Sequence, residues 1–320
     1  MRKTVTIWLV IATALVVIGL VMFAAVMTAN GWDFTALSTV KYETNTYEIE
    51  EEFHHISMKT DTADIVFVPS EDENCKVVCY EEDHSKHSAA VVDGTLTVEV
   101  FHKKEWYHYI GISFRTPKLT VYLPKAEYGN LFVKEDTGDI EIPKDFQFES
   151  VDITASTGDV KCHASASGDI QIKTSTGYIE VENISARTLS LSVSTGNVTA
   201  TGVRCEGDVT VGVSTGKSCL TDVSCKNLTS SGNTGDIFLK NVIAAERISI
   251  ERSTGDVKFD GCDASEISVV TDTGDVTGTL LSDKVFITKT DTGDVDVPTS
   301  VSGGRCEITT DTGDIQISIR

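Results

Sequence analysis

STGDVKFDGCDASEISVVTDTGDVT, residues 253–277, carries one turn twice: Ser253-Thr254-Gly255-Asp256 and Asp272-Thr273-Gly274-Asp275. Outward from it, Thr-Gly recurs at Thr137, Thr157, Thr176, Thr195, Thr215, Thr234, Thr254, Thr273, Thr292 and Thr312, in steps of 19 or 20 residues. Self-similarity at a fixed period near 20 marks a solenoid, in which each repeat stacks on its neighbours.

Within each repeat the third and fifth residues after Thr are apolar in most copies, as in Ile140/Ile142, Val257/Phe259 and Ile315/Ile317, with a polar residue between them. That alternation is a strand with one buried face. A second alternating run follows, as in Ile248/Ile250 and Ile267/Val269. The residues are largely β-branched, which suits strands. The fold class expected is therefore all-β: a single-stranded parallel β-helix of about 19–20 residues per coil, preceded by one N-terminal transmembrane helix. The turns rest on Gly138, Gly158, Gly177, Gly196, Gly216, Gly235, Gly255, Gly274, Gly293 and Gly313. Glycine supplies positive φ without steric cost. Ten residues after Thr comes a row of small residues, Ser167, Ala186, Cys205, Cys225, Ala244, Ala264 and Ser302, expected at an inward corner. Coils stacked about 4.8 Å apart make ten of them a rod roughly 45–50 Å long, open only at its ends. The strand Ile315-Gln316-Ile317-Ser318-Ile319 is expected to be the uncovered last coil. An open edge is a template for pairing, so an end-to-end homodimer through this C-terminal coil, or another envelope protein covering it, is expected.

The 320 residues carry a formal net charge of −21 and 40% hydrophobic content, enough to bury a core. Met1-Arg2-Lys3 is basic, and Thr4 to Trp32 has no charge. A span of about 20 apolar residues crosses a bilayer, and flanking basic residues hold that side in the cytoplasm. Trp8 and Trp32 sit where interfacial aromatics belong. A cleaved signal peptide, with Thr28-Ala29 near the site, is the competing reading; its apolar region is usually about 7–15 residues, shorter than this one. The organisation expected is 1–4 cytoplasmic, 5–28 a transmembrane signal anchor, 29–45 a juxtamembrane linker, 46–130 degenerate coils and cap, and 131–320 the regular repeats. Asp61-Thr62-Ala63-Asp64 is an early copy of the turn with Ala in place of Gly, and Val91 to Val100 reads as a hairpin.

The segments Asp93-Gly94-Thr95-Leu96-Thr97-Val98 and Leu119-Thr120-Val121-Tyr122-Leu123-Pro124, followed by repeated Ser/Asp-Thr-Gly-Asp-Ile/Val turns, resemble the bacterial putative-adhesin family, which includes LiaG-like envelope proteins. The resemblance covers about residues 46 to 320. It implies a single-pass, envelope-associated β-solenoid tied to envelope stress, and it carries no catalytic residues to this chain.

Asp139, Asp159, Asp236, Asp256, Asp275, Asp294 and Asp314 follow the turn glycines and are expected to form a column. They read as turn caps on a solvated rim. The alternative is a calcium ladder, for which Asp256, Asp275, Asp294 and Asp314 are the candidates, because calcium takes clustered oxygen ligands. No other metal or cofactor is expected. The eight cysteines show no Cys-x-x-Cys spacing and read mainly as free thiols, with Cys219 facing outward. His84 and His87 with Glu81, Glu82 and Asp83, or His102 with His108, offer metal ligands with nothing in the sequence to bring them together. Trp106, Tyr107 and Tyr109 are expected to cap the rod. The acidic, exported character excludes nucleic acid as partner. The arginines are scattered over the repeat, and no paired acids line a groove, so no enzyme is expected and a carbohydrate-active enzyme is the third reading. The function expected is a membrane-anchored extracytoplasmic interaction or structural module of the envelope. Its runner-up is a calcium-responsive surface adhesin binding glycan or protein.

Overall fold

The computed structural model describes residues 2–33, 40–71, 74–102 and 115–320. A helix spans Arg2–Ala29, and the strands of the described residues from Tyr42 to Ile319 form one continuous sheet wound into coils. The helix is apolar on every side, as its residues from Val5 to Ala29 require, and that span is long enough to cross a bilayer.

Each coil has two main strands joined at the Thr-Gly turn. Equivalent residues stack in parallel register: Thr137 on Thr157, Thr157 on Thr176, Thr176 on Thr195, and Val160 on Ile179. The two apolar rows named from the sequence line the core. Ile140, Val160, Ile179, Val198, Ile237, Val257, Val276 and Ile315 are all buried, as are Ile142, Val181, Leu220, Leu239, Phe259 and Ile317. The corner row is shifted by one residue in its first coil. Ala166, not Ser167, is the buried member beside Ala186, Cys205, Cys225, Ala244 and Ala264, and Ser302 is exposed.

The turn glycines do more than relieve φ. Gly274 has φ +151, and a Cβ there would fall on the carbonyl oxygen of Gly255 in the coil below. The same relation holds from Gly158 to Gly138 and from Gly216 to Gly196, so the coils are stacked through glycine at van der Waals distance.

The order of coils in space departs from the order in the chain at both ends. Strand Glu266–Thr273 pairs not with Lys284–Thr292 but with Gly304–Thr312, which then pairs with Lys284–Thr292 on its far side. The coil of residues 304–319 is therefore inserted between those of 266–280 and 284–296. Ile315 and Ile317 are buried and Ile319 is half-buried, which corrects the expectation that they form the uncovered end and the dimer surface. The terminal coil is instead 284–296, where Val285, Ile287 and Val295 are exposed. Lys284 explains how the layers are held. Its side chain is buried, reaches past Gly304, and its Nζ donates to Asp263 Oδ1 at 2.6 Å and Ser282 Oγ at 2.5 Å.

At the other end, the coil of His55–Thr62 and Asp64–Pro69 lies between Thr95–His102 with Lys118–Leu123 on one side and Glu127–Thr137 with Ile140–Ile142 on the other. Three antiparallel strands close this end: Ser85–Val92 on Thr95–His102, Cys75–Glu82 on Lys118–Leu123, and Tyr42–Ile49 on Cys75–Glu82. The expected hairpin is present, with Asp93 and Gly94 both at positive φ in its two-residue turn. Trp106, Tyr107, His108 and Tyr109, expected to form the cap or a metal site, lie outside the described residues, as does the His102 side chain.

Candidate functional site

The turn aspartates form a column with a defined task. All but Asp294, in the terminal coil, offer Oδ1 to the backbone N–H at the same position of the next coil. Asp159 N donates to Asp139 at 2.8 Å, Tyr178 N to Asp159 at 2.8 Å, Asp256 N to Asp236 at 3.2 Å, and Asp275 N to Asp256 at 2.9 Å. Asn197 serves equally well through its amide oxygen, accepting from Lys217 N at 2.8 Å. The ladder follows the spatial order of the coils: Asp314 N donates to Asp275 and Asp294 N to Asp314, each at 2.8 Å. The calcium candidates Asp256, Asp275 and Asp314 thus each give one oxygen to the backbone. Among the described residues, the turn aspartates do not bring three ligand atoms within 4.8 Å of one another.

Two charged residues occupy the inward row two positions before Thr, where other coils place Ala155, Val193 and Val213 or the threonines Thr174, Thr271 and Thr310. Arg252 is 2% exposed; its Nη1 donates to Val213 O at 2.8 Å and its Nη2 to Ser218 Oγ at 3.0 Å, with Nε unpartnered among the described residues. Burial lowers its pKa. Two departures from the repeat make room for it: Gly232, where a Cβ would strike the guanidinium, and Ser218, the one polar member of the Ile/Val row. Glu135 is the second. Its Oε1 accepts from Ala63 N at 3.2 Å and Thr137 N at 3.3 Å, while Oε2 is buried without a partner among the described residues. Burial pushes its pKa up to about 8. Neither residue stood out in the sequence, although a charge in an otherwise small or apolar row was the available signal.

The cysteines are free. Seven are buried and Cys219 is half-buried, its thiol pushed up by burial. A wide depression across the coils is lined by Asp208, Asn227, Glu246, Arg247, Glu266 and Arg305 and is open to solvent. The charges in it are partly paired, Arg247 with Glu266 at 2.6 Å.

The Toastrack DUF4097 family profile matches residues 53–213 and 204–320. No curated protein sequence matches the chain. Among solved structures it is similar to a putative lipid binding protein from Parabacteroides distasonis ATCC 8503, at 14% identity, with 88% of this chain and 98% of that one covered and a TM-score of 0.47. A putative adhesin from Bacteroides fragilis NCTC 9343 is 17% identical, with 87% and 97% covered and a TM-score of 0.34. A putative adhesin from Parabacteroides distasonis ATCC 8503 is 11% identical, with 85% and 98% covered and a TM-score of 0.39.

Proposed function

Because the chain belongs to the Toastrack DUF4097 family, we propose that it is a membrane-anchored module of the cell envelope that binds or braces other envelope components. One observation carries this reading: a helix apolar from Val5 to Ala29, with every side chain of that span but Met27 exposed, precedes an acidic rod with no such segment among its described residues. Such a helix needs a hydrocarbon surrounding. Met1-Arg2-Lys3 favours an N-terminus in the cytoplasm, which places the rod outside. A partner would meet the rod along its ridged side or at its terminal coil. A non-enzymatic role fits a surface built from backbone ladders and paired charges.

Thiol labelling tests the topology. Lys258 is exposed, so Lys258→Cys in the full chain should react with a membrane-impermeant maleimide in intact cells, and Cys219 more slowly because it is half-buried. Labelling only after lysis would overturn the reading. A glycan and protein array probed with the detergent-solubilised chain tests the binding role, and turnover of an envelope polysaccharide would replace that role with an enzymatic one.

A further inference from the structure

The cap holds a group of side chains that the repeats do not explain. Along strand Cys75–Glu82 the inward residues are Cys75, Val77, Cys79 and Glu81. The first three suit a core, but the fourth puts a carboxylate there, fully buried. Across the connection to strand Ser85–Val92, His87 is also inward and 4% exposed. Glu81 Oε2 accepts from the His87 backbone N at 2.6 Å and lies 2.8 Å from His87 Nδ1, while Oε1 accepts from Asn45 Nδ2 at 2.6 Å. Tyr47 donates its hydroxyl to His87 O at 2.5 Å, so the backbone carrying the imidazole is held as well. Cys79 Sγ completes the group, and its three ligand atoms lie within 4.8 Å of one another. His87 Nε2 is buried and has no partner among the described residues.

We propose that Cys79, Glu81 and His87 form a binding site for one zinc-class divalent cation within the cap. Thiolate, imidazole and carboxylate together are a zinc donor set, and three protein ligands leave one position for a small fourth ligand. Zinc–ligand distances of about 2.0–2.3 Å in a tetrahedron require ligands roughly 3.3–3.8 Å apart. From the present spacing the Glu81–His87 pair, at 2.8 Å, must open by about 0.5 Å, and the contacts to Cys79 Sγ, within 4.8 Å, must close by up to about 1.5 Å. An ion on Nδ1 would replace the Glu81–His87 hydrogen bond, and an ion on Nε2 would give that buried, unpartnered nitrogen a bond. Asn45 and Tyr47 already fix the carboxylate and the His87 backbone, the supporting layer that a metal site needs. On binding, the Cys79 thiol releases its proton to solvent and the sulfur–metal bond replaces the S–H bond, with no change of oxidation state. The ion would tie strands Cys75–Glu82 and Ser85–Val92 together where the rod is closed.

A second group, His163, Glu180 and Glu182, meets the same spacing at a solvent-accessible place on the rod and serves as the control. The test uses the full chain in detergent, purified free of metal and titrated with Zn2+ against a chromophoric chelator, and with Co2+ alone. The expected result is one tight equivalent of Zn2+ and a thiolate-to-cobalt charge-transfer band. Loss of a residue that merely orients a metal ligand costs about 10–100-fold, so Cys79→Ser and His87→Gln should each weaken binding by about 100-fold or more, with His163→Gln leaving it unchanged. Absence of the thiolate band in the wild-type protein would overturn the proposal whether or not the variants fold. So would tight binding that survives in folded Cys79→Ser and His87→Gln but is lost in His163→Gln.

Discussion

Gly274→Val is expected to unfold the stack around it, at a cost above about 4 kcal/mol, in the range reserved for changes the structure cannot absorb. Two effects add. Residue 274 sits at φ +151, where a side chain is strained, and a Cβ would fall on the Gly255 carbonyl oxygen. Backbone strain of this kind accounts for about 1–3 kcal/mol. The overlap is worse, because the obstacle is backbone already bonded into the next coil and relief means prying coils apart. Thr277→Ala, three residues on and away from the core, should change stability by about 0.5 kcal/mol or less. Urea unfolding of the two variants beside the wild type decides it, and equal midpoints would remove glycine stacking as the organising contact. Each turn glycine points its missing Cβ at the coil on the capped side, and the column starts at Ala63, which is not at positive φ.

Glu135→Gln should stabilise the protein at alkaline pH and flatten its pH dependence. The Glu135 carboxyl is held at about 8 against an ordinary 4.5, because burial penalises its charge more than two backbone N–H groups repay it. The folded state therefore binds the proton more tightly than the unfolded state between these values. Stability falls as pH rises from about 4.5 to about 8 and levels above that. At 1.36 kcal/mol per pKa unit, the loss at this residue is on the order of 3–5 kcal/mol. Glutamine has no proton to lose, so unfolding free energies at pH 5 and pH 9 should diverge for the wild type and converge for the variant. General repulsion among the other acids acts on both proteins and cancels in the difference. Parallel pH profiles would show that the buried carboxyl is not the titrating group.

The repeat was legible in the sequence because every coil spells it locally: Thr-Gly fixes the turn, and alternation fixes which side chains face in. The stacking order at the ends was not, for the same reason. The apolar positions of 284–296 and 304–319 are interchangeable, so no local signal says which lies outside. The observed order brings Lys284 past Gly304 to Asp263, a contact between residues that look unremarkable in isolation. The inward polar residues were legible only as exceptions. Arg252 needs Gly232 and Ser218, each in a different coil, and those three departures make sense only once stacked. Cys79, Glu81 and His87 share a face through simple alternation along two strands, but the antiparallel return that joins them has no counterpart in the repeat. Family membership came with the turns, whereas no motif in the chain names a ligand.

The inserted coil has a consequence for how a nascent chain matures. Residues 284–296 leave the ribosome before residues 304–319, yet they finish outside them. A solenoid that simply wound forward would lay 284–296 directly on 266–280, satisfying the same hydrogen bonds with the wrong neighbour. The later segment must then displace it, or arrive before it settles. It acts as a keystone, the piece set last and into the middle. Growth along most of the rod can keep pace with synthesis, but the final layers wait for the chain to reach residue 319. A chain interrupted short of that point would be not a slightly shorter rod but one sealed with a misplaced layer.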